Sequence, residues 1–249
     1  MGCQVRRIKQ KDMKLLTAIA ISVLALISLT SCEKVIGDGP VVTETRTVSE
    51  FTELEFGVPG ELEFIESDQQ EIIIEAQRNI AEVIETYVTG NELRIKVKDS
   101  KRIRTSERIK ITVKAPGVHS FAVSGDGSMT IDNIHSSELS RLKLSGSGKI
   151  VAYKLESSGL DARISGSGSI EVMEGTVEHE DINISGSGDI NLVEVAASKA
   201  STQTSGSGNI RLNVSDELDV RISGSGDVFY KGTPKVNVSV SGSGRLVRL

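Results

Sequence analysis

The sequence predicts an all-β fold in which the chain winds into a parallel β-helix, or β-solenoid. One four-residue phrase recurs along the chain, as SGDG at 124–127 and then as SGSG, at intervals of 18 to 21 residues. Apolar and polar residues alternate on both sides of almost every copy, which is typical of strands. Two short strands and a glycine-rich corner in a unit of this length match one coil of a solenoid, whose inward side chains are buried by the neighbouring coils.

The alternation also predicts which side chains point inward. We expect one ladder in front of the phrase and one behind it, and within the phrase both glycines facing the core and both serines facing solvent. Because glycine has no Cβ, it would let the two sheets close on a narrow edge. The front ladder is Val123, Leu144, Ile164, Ile184, Thr204, Ile222 and Val240, and the rear ladder is Met129, Ile150, Ile170, Ile190, Ile210, Val228 and Leu246. The corner glycines are Gly125, Gly127, Gly146, Gly148, Gly166, Gly168, Gly186, Gly188, Gly206, Gly208, Gly224, Gly226, Gly242 and Gly244.

The chain divides at residue 119, where the repeat β-helix (119–249) begins. The preceding β region, residues 41–118, is expected to start or cap the solenoid, because the open end of a stack of coils exposes strand edges. A short helix is predicted at 79–87, where Ile80, Val83 and Tyr87 share one apolar face. Strands are predicted at 41–47, 51–56, 61–65, 71–76, 93–98 and 109–114.

The N-terminal segment is predicted to be a targeting signal. Five lysines and arginines precede an apolar run, 15–29, which is typical of a signal peptide and too short for an ordinary spanning helix. The run ends in Leu-Thr-Ser-Cys32, which resembles the lipobox of bacterial lipoproteins, where the cysteine receives a diacylglyceryl group. We therefore expect a lipoprotein signal peptide at 1–32, lipidation of Cys32 and a flexible tether at 33–40. Translation starts at Met1 or Met13, because a complete leader begins at either.

Charge and composition exclude several classes of function. The chain has 29 Lys and Arg against 34 Asp and Glu, a formal net charge of -5, and loss of the leader makes it -9. Nucleic acid is not an expected partner, because its phosphates require a basic surface. With no Trp, three Tyr and five Phe, few rings are present to stack on sugars. Since Cys32 is the one cysteine left after cleavage, neither a disulfide nor a thiolate metal site is expected.

Catalytic and metal sites find little support in the sequence. His119, His135 and His179 stand at different offsets from the repeated phrase, so no coil register brings them together as a triad or a zinc site. A calcium roll is not expected either, because the residue after the second glycine is cationic in two coils. No cofactor and no metal are expected.

One acidic region keeps an enzymatic alternative open. Glu174 and Glu194 lie 20 residues apart at the same repeat offset, with Lys154 one coil earlier, and the run Glu178-His179-Glu180-Asp181 lies nearby. Such an edge would suit a polysaccharide lyase or hydrolase, whereas a solvated edge is the simpler interpretation.

The outward serines are the main candidate interaction surface. Stacked coils would align them in ladders suited to a repeating glycan or a partner strand; alternatively, small polar residues simply suit an exposed tight corner. The last strand forms an open sheet edge, and only Arg245 and Arg248 carry charges that would discourage another strand from pairing with it. A second copy or another chain is therefore a further expected partner. The ladder serines are Ser145, Ser147, Ser165, Ser167, Ser185, Ser187, Ser205, Ser207, Ser223 and Ser225.

Several motifs together resemble a bacterial family. The lipidated Cys32, an FxxLxF opening at residues 51–56, GELEF at 60–64 and the serial SGSG phrases are similar to the autotransporter adhesin head domain, or GIN domain, of Bacteroidetes-type bacteria. The resemblance covers about residues 45–245. It implies a right-handed β-helix of pectin-lyase-like shape with GSG at the tight turn, no recognised catalytic residue and a role in cell adhesion.

These observations lead to one expected function. The chain should be a non-enzymatic cell-envelope lipoprotein, held by lipid in the outer membrane, that displays a β-helix as an adhesin or surface interaction module. Its expected partners are the membrane, a glycan or surface protein, and a second copy. Both the cell surface and the periplasmic face stay open, because Glu33 and Lys34 are not a decisive sorting signal.

Overall fold

The computed structural model describes residues 33–249, so the predicted signal peptide and Cys32 lie outside the described residues. Almost all of the described chain is β-structure, and it forms a β-helix of about 6 turns, which confirms the predicted fold class. The first part contains β1 (Glu33–Ile36), β2 (Val41–Arg46), β3 (Glu53–Gly57), β4 (Glu61–Glu66), β5 (Glu71–Gln77), α1 (Arg78–Ala81), β6 (Ile84–Thr89), β7 (Glu92–Val97), β8 (Lys101–Arg104), β9 (Lys110–Ala115) and β10 (Ser120–Gly125). The repeats form β11 (Ser128–Gly146), β12 (Lys149–Gly166), β13 (Ser169–Val172), β14 (Gly175–Gly186), β15 (Asp189–Gly206), β16 (Ile210–Gly224), β17 (Val228–Lys231), β18 (Lys235–Gly242) and β19 (Leu246–Arg248).

Each SGSG phrase lies at the corner between two parallel sheets. The front sheet, formed by the segments that lead into the phrase, runs in parallel through β10, β11, β12, β14, β15, β16 and β18. The rear sheet, formed by the segments that follow the phrase, runs through β11, β12, β13, β15, β16, β17 and β19. Equivalent residues of successive phrases are in register, as Ser145 is with Ser165. The coils therefore stack at the strand spacing of about 4.8 Å.

The region before the repeats extends both sheets and then closes their end. β3 pairs in parallel with β10, and β4 with β11, so these two strands continue the front and rear sheets. One more parallel layer follows, with β7 on β3 and β9 on β4. Antiparallel strands then finish the stack, with β6 on β7, β5 on β9 and β2 on β5. Pairing in this way covers edges that would otherwise present free backbone groups.

The interior is one continuous, mainly aliphatic core. The predicted ladder side chains are buried, except in the last coil. There Val240 is 44% exposed and Leu246 is only partly buried, because no further coil covers them within residues 33–249. Thr204, the polar member, is buried and its hydroxyl donates to the carbonyl of Gly208 at 3.4 Å.

Two local predictions are wrong. The helix ends at Ala81, and residues 84–89 form β6 instead, because the β-branched side chains of this segment pair antiparallel with β7. The segment 33–40 is not simply a flexible tether, since Glu33–Ile36 forms β1 and pairs in parallel with β8, a strand that the sequence analysis missed. Val35 and Ile103 pack this two-stranded ribbon onto the core.

Candidate functional site

The corner is built around a glycine carbonyl that accepts two hydrogen bonds from the next coil. The carbonyl of Gly146 accepts the N–H groups of Ser167 at 2.9 Å and Gly168 at 3.2 Å. Gly166 has a φ of +133°, and a Cβ on it would overlap the carbonyl oxygen of Gly146. Gly168 is buried, and a Cβ there would overlap the backbone of the preceding coil and a core side chain. Only the second glycine therefore faces the core; the first is half-buried and faces the preceding coil.

The predicted serine ladder stands on the outside of this corner. Both serines of each SGSG phrase are exposed, and Ser124 of the SGDG phrase is half-buried. The first serines form a continuous in-register row, which runs through Ser124, Ser145, Ser165, Ser185, Ser205, Ser223 and Ser241. The sequence thus places hydroxyl groups along one edge of the solenoid at intervals of about 4.8 Å.

A second column runs beside the serines on the outer face of the front sheet, and sequence reasoning missed it. Its members stand two positions before the first serine, and residues two apart in a strand share a face. That constant offset from SGSG was the signal that would have found them. The polar column consists of Lys143, Arg163, Asn183, Gln203 and Arg221, which are in register.

An open groove of about 300 Å³ lies where the serine ladder meets the polar column in the first coils. Lys143, Arg163 and Ser145 are among the residues that line it. Arg163 Nε donates to Asp161 Oδ1 at 2.6 Å, which offsets its charge, whereas Lys143 makes no ion pair within residues 33–249. The surface offers hydroxyl, amide and ammonium groups that repeat along the axis, so it can form hydrogen bonds to a ligand that also repeats.

Carboxylates at the start of the rear sheet serve the contacts between coils. Asp189 Oδ1 accepts from the backbone N–H of Asn209 at 3.0 Å, and Asp227 Oδ1 accepts from that of Arg245 at 2.8 Å. The hydrogen bond from the Arg245 guanidinium lowers the pKa of Asp227. Within residues 33–249, no group of three or more His, Cys, Asp or Glu side chains is arranged to hold a metal ion.

Glu174 and Glu194 directly precede Gly175 and Val195, which are in register, so the two exposed carboxylates lie at equivalent positions of adjacent coils. Glu194 forms an ion pair with Lys231 at 3.0 Å, and Glu174 is exposed one coil earlier. Lys154 pairs with Glu156 at 2.8 Å, and this contact lowers the pKa of the Glu156 carboxyl. Of the run at 178–181, Glu180 points into the core instead of outward, because alternation along β14 places it on the inner face.

The three histidines are also kept apart. His119 is half-buried with its Nε2 3.8 Å from Glu138, and His135 Nδ1 lies 3.3 Å from Glu156. His179 is exposed on β14. Each histidine lies on a different coil.

Glu180 is the least expected side chain of the solenoid. It is 0% exposed, stands in register between Leu160 and Ala200, and neither of its carboxyl oxygens has a hydrogen-bond partner among the described residues. Burial in this apolar setting raises its pKa to about 8. The acid is therefore mainly protonated at neutral pH, which avoids an unpaired charge in the core.

Comparisons with solved structures show the same fold in bacterial proteins. A "putative adhesin" from Bacteroides fragilis matches with a TM-score of 0.81 at 23% identity, over 86% of this chain and 100% of that one. A "putative lipid binding protein" from Parabacteroides distasonis matches with a TM-score of 0.72 at 27% identity, over 87% and 100% of the chains. A "putative adhesin" from Parabacteroides merdae matches with a TM-score of 0.69 at 22% identity, over 87% and 99%. A search of curated proteins finds no match.

The described residues contain no helix that is long and apolar enough to cross a bilayer. A family model described as "Putative auto-transporter adhesin, head GIN domain" matches residues 50–234. This range includes β3 and β4, the two strands that join the N-terminal region to the coils. It also includes every SGSG corner except the last. The chain therefore belongs to the auto-transporter adhesin head, or GIN domain, family.

Proposed function

We propose that this protein is a non-enzymatic lipoprotein of the cell envelope that binds a glycan along its front sheet. Membership of the adhesin head family supports an adhesin-like protein of the cell surface or envelope. The observation that carries the proposal is the pairing of the serine ladder with the polar column, both in register over successive coils. A polysaccharide presents hydroxyl groups at regular intervals, so a surface of regular polar groups complements it.

The expected affinity comes from many weak contacts. Each hydrogen bond contributes about 0.5–1.5 kcal/mol net, because both partners give up water. A long polymer that crosses several coils sums these contributions, whereas a short oligosaccharide does not. Binding should therefore strengthen with chain length of the glycan.

The first prediction concerns the polar column. Replacing Lys143, Asn183 and Gln203 together with alanine should weaken glycan binding at least about tenfold, because three hydrogen-bonding groups leave the front sheet. The measurement is binding of the purified chain to a panel of immobilised polysaccharides, with the unfolding temperature checked in parallel.

A matched control removes one cation and two amides from the outer face of the rear sheet instead. The variant combines Arg211→Ala, Asn191→Ala and Asn213→Ala, and it should bind as the unchanged protein does. Equal losses in both variants would contradict the role of the front sheet. Release of shortened sugars that stops in a Glu174→Gln and Glu194→Gln double variant would overturn the non-enzymatic proposal.

The second prediction concerns the anchor. Cells given labelled palmitate should incorporate it into this protein, and Cys32→Ser should abolish the label, because the cysteine thiol accepts the diacylglyceryl group. Protease added to intact cells should then remove the labelled protein, since an adhesin must face outward. Label that persists in Cys32→Ser argues against the anchor, and a protein that resists protease only until the cells are lysed argues against surface display.

A further inference from the structure

The ribbon of β1 and β8 has two different faces. Its inner face carries Val35 and Ile103, which pack against the core. Its outer face carries Lys34 beside Arg102 and Ile36 beside Arg104, as the parallel register requires. The three cations are exposed and none of them forms an ion pair within residues 33–249, while Ile36 is 64% exposed. The outer face of this ribbon is therefore a cationic surface with one apolar side chain in it.

The sequence around β8 is rich in cations. Residues 94–110 contain eight Lys and Arg but only two Asp and Glu, in a chain whose overall charge is negative. The ribbon also borders an open groove of about 650 Å³, whose lining includes four cations, Lys34, Lys101, Arg102 and Arg104, and one acid, Asp126. Five of these eight cations form ion pairs with carboxylates, whereas Lys98, Arg102 and Arg104 have none within residues 33–249. The unpaired positive charge of this region therefore lies on and beside the ribbon.

The location of this charge suggests what covers it. β1 begins at Glu33, the residue directly after Cys32, and Lys101 pairs with Glu33 to hold the start of the strand. A lipid on Cys32 would bring the ribbon to the bilayer surface with no free linker between them. Electrostatic attraction acts over a Debye length of about 8 Å at physiological salt, which includes the ribbon in this position.

We propose that the outer face of the β1–β8 ribbon binds the anionic phosphate head groups of the bilayer to which the protein is anchored. The inference rests on the proposed lipid anchor at Cys32 and adds a second, protein-based contact with the membrane. Lys34, Arg102 and Arg104 contact the phosphates, and Ile36 enters the interface between them. Such a contact fixes the orientation of the solenoid, which an acyl chain on a flexible tether does not do.

The test uses residues 33–249, which contain the whole described core and carry no lipid. This chain should sediment with vesicles of phosphatidylglycerol and phosphatidylcholine in equal parts, but not with phosphatidylcholine alone, and added salt should release it. A variant with Lys34→Gln, Arg102→Gln and Arg104→Gln should lose about a hundredfold in partitioning, since each cation near an anionic surface contributes a factor of about five. The matched control carries Lys154→Gln, Lys199→Gln and Lys235→Gln, three exposed cations outside the ribbon and the polar column, has the same net charge and should bind as the unchanged chain does.

The outcomes separate this inference from the anchor itself. Vesicle binding that depends on the ribbon cations supports it even if palmitate labelling of Cys32 fails. Absent binding to the anionic vesicles, or equal losses in the two variants, overturns it while leaving the anchor intact. Ribbon-dependent binding to an immobilised anionic polysaccharide, without binding to vesicles, also overturns it in favour of a soluble polyanion.

Discussion

Replacing Glu180 with leucine should stabilise the protein at neutral and alkaline pH by removing an acid that the core cannot solvate. Glu180 has no hydrogen-bond partner among the described residues, and burial raises its pKa to about 8. In the unfolded chain a glutamate titrates near 4.3. Between these values the folded state binds more protons than the unfolded state, so stability falls as pH rises. The loss reaches about 1.4 kcal/mol per pH unit in the middle of this window and amounts to about 4 kcal/mol between pH 4.5 and 8.

The measurement is the unfolding temperature of both proteins across this pH range. The difference between Glu180→Leu and the unchanged chain should be smallest near pH 4.5 and should widen to about 10 °C or more at pH 8. Other carboxylates titrate in both proteins alike and cancel in the difference. Glu178→Leu removes an exposed carboxylate two residues away and should leave the pH dependence unchanged. Parallel curves for Glu180→Leu and the unchanged chain would show that the carboxyl is not buried.

Gly166→Ala should destabilise the protein by about 4 kcal/mol, the second large effect. The left-handed φ of +133° accounts for about 1–2 kcal/mol of strain in any residue with a Cβ. The overlap of that Cβ with the carbonyl of Gly146 adds about 1–3 kcal/mol and disturbs an oxygen that accepts two hydrogen bonds. The unfolding temperature should therefore fall by about 10 °C.

Gly125 provides a matched control at the same position of the first phrase. Its φ is +90°, yet nothing lies within 4 Å of a Cβ placed on it. Gly125→Ala should consequently show only the backbone strain, about 1–2 kcal/mol. If both substitutions are equally costly, the glycines are required for backbone conformation alone and not for the close stacking of coils.

The repeat region was predictable because the regular spacing of the SGSG phrase determines the register between successive coils. Once successive SGSG corners stack, every residue between them takes a defined neighbour one coil away, and alternation then decides which side chains are inside. The serine ladder follows from the same rule. The polar column also obeys it, since its members stand at a constant offset from the phrase.

The residues that the prediction missed depend on partners without a fixed spacing. β1 pairs with β8, whose residues lie 68 positions further along the chain. Because β8 does not belong to the repeats, their spacing gives no indication of this pairing. Residues 84–87 have helical spacing of apolar side chains, but pairing with β7 outweighs that preference. Glu180 belongs to an acidic run whose composition is typical of an exposed segment. It is buried because the alternation of side chains along β14 places it on the inner face.

By itself, the sequence determined the stacked coils, the corner glycines between them and the aliphatic ladders inside, because a periodic pattern carries its own register. The tertiary structure alone decided how the non-repeating strands close the first end, which acid enters the core and which cations gather beside residue 33. The physical reason is that these features depend on pairings between distant segments, whose free energies are compared only when the whole chain is folded.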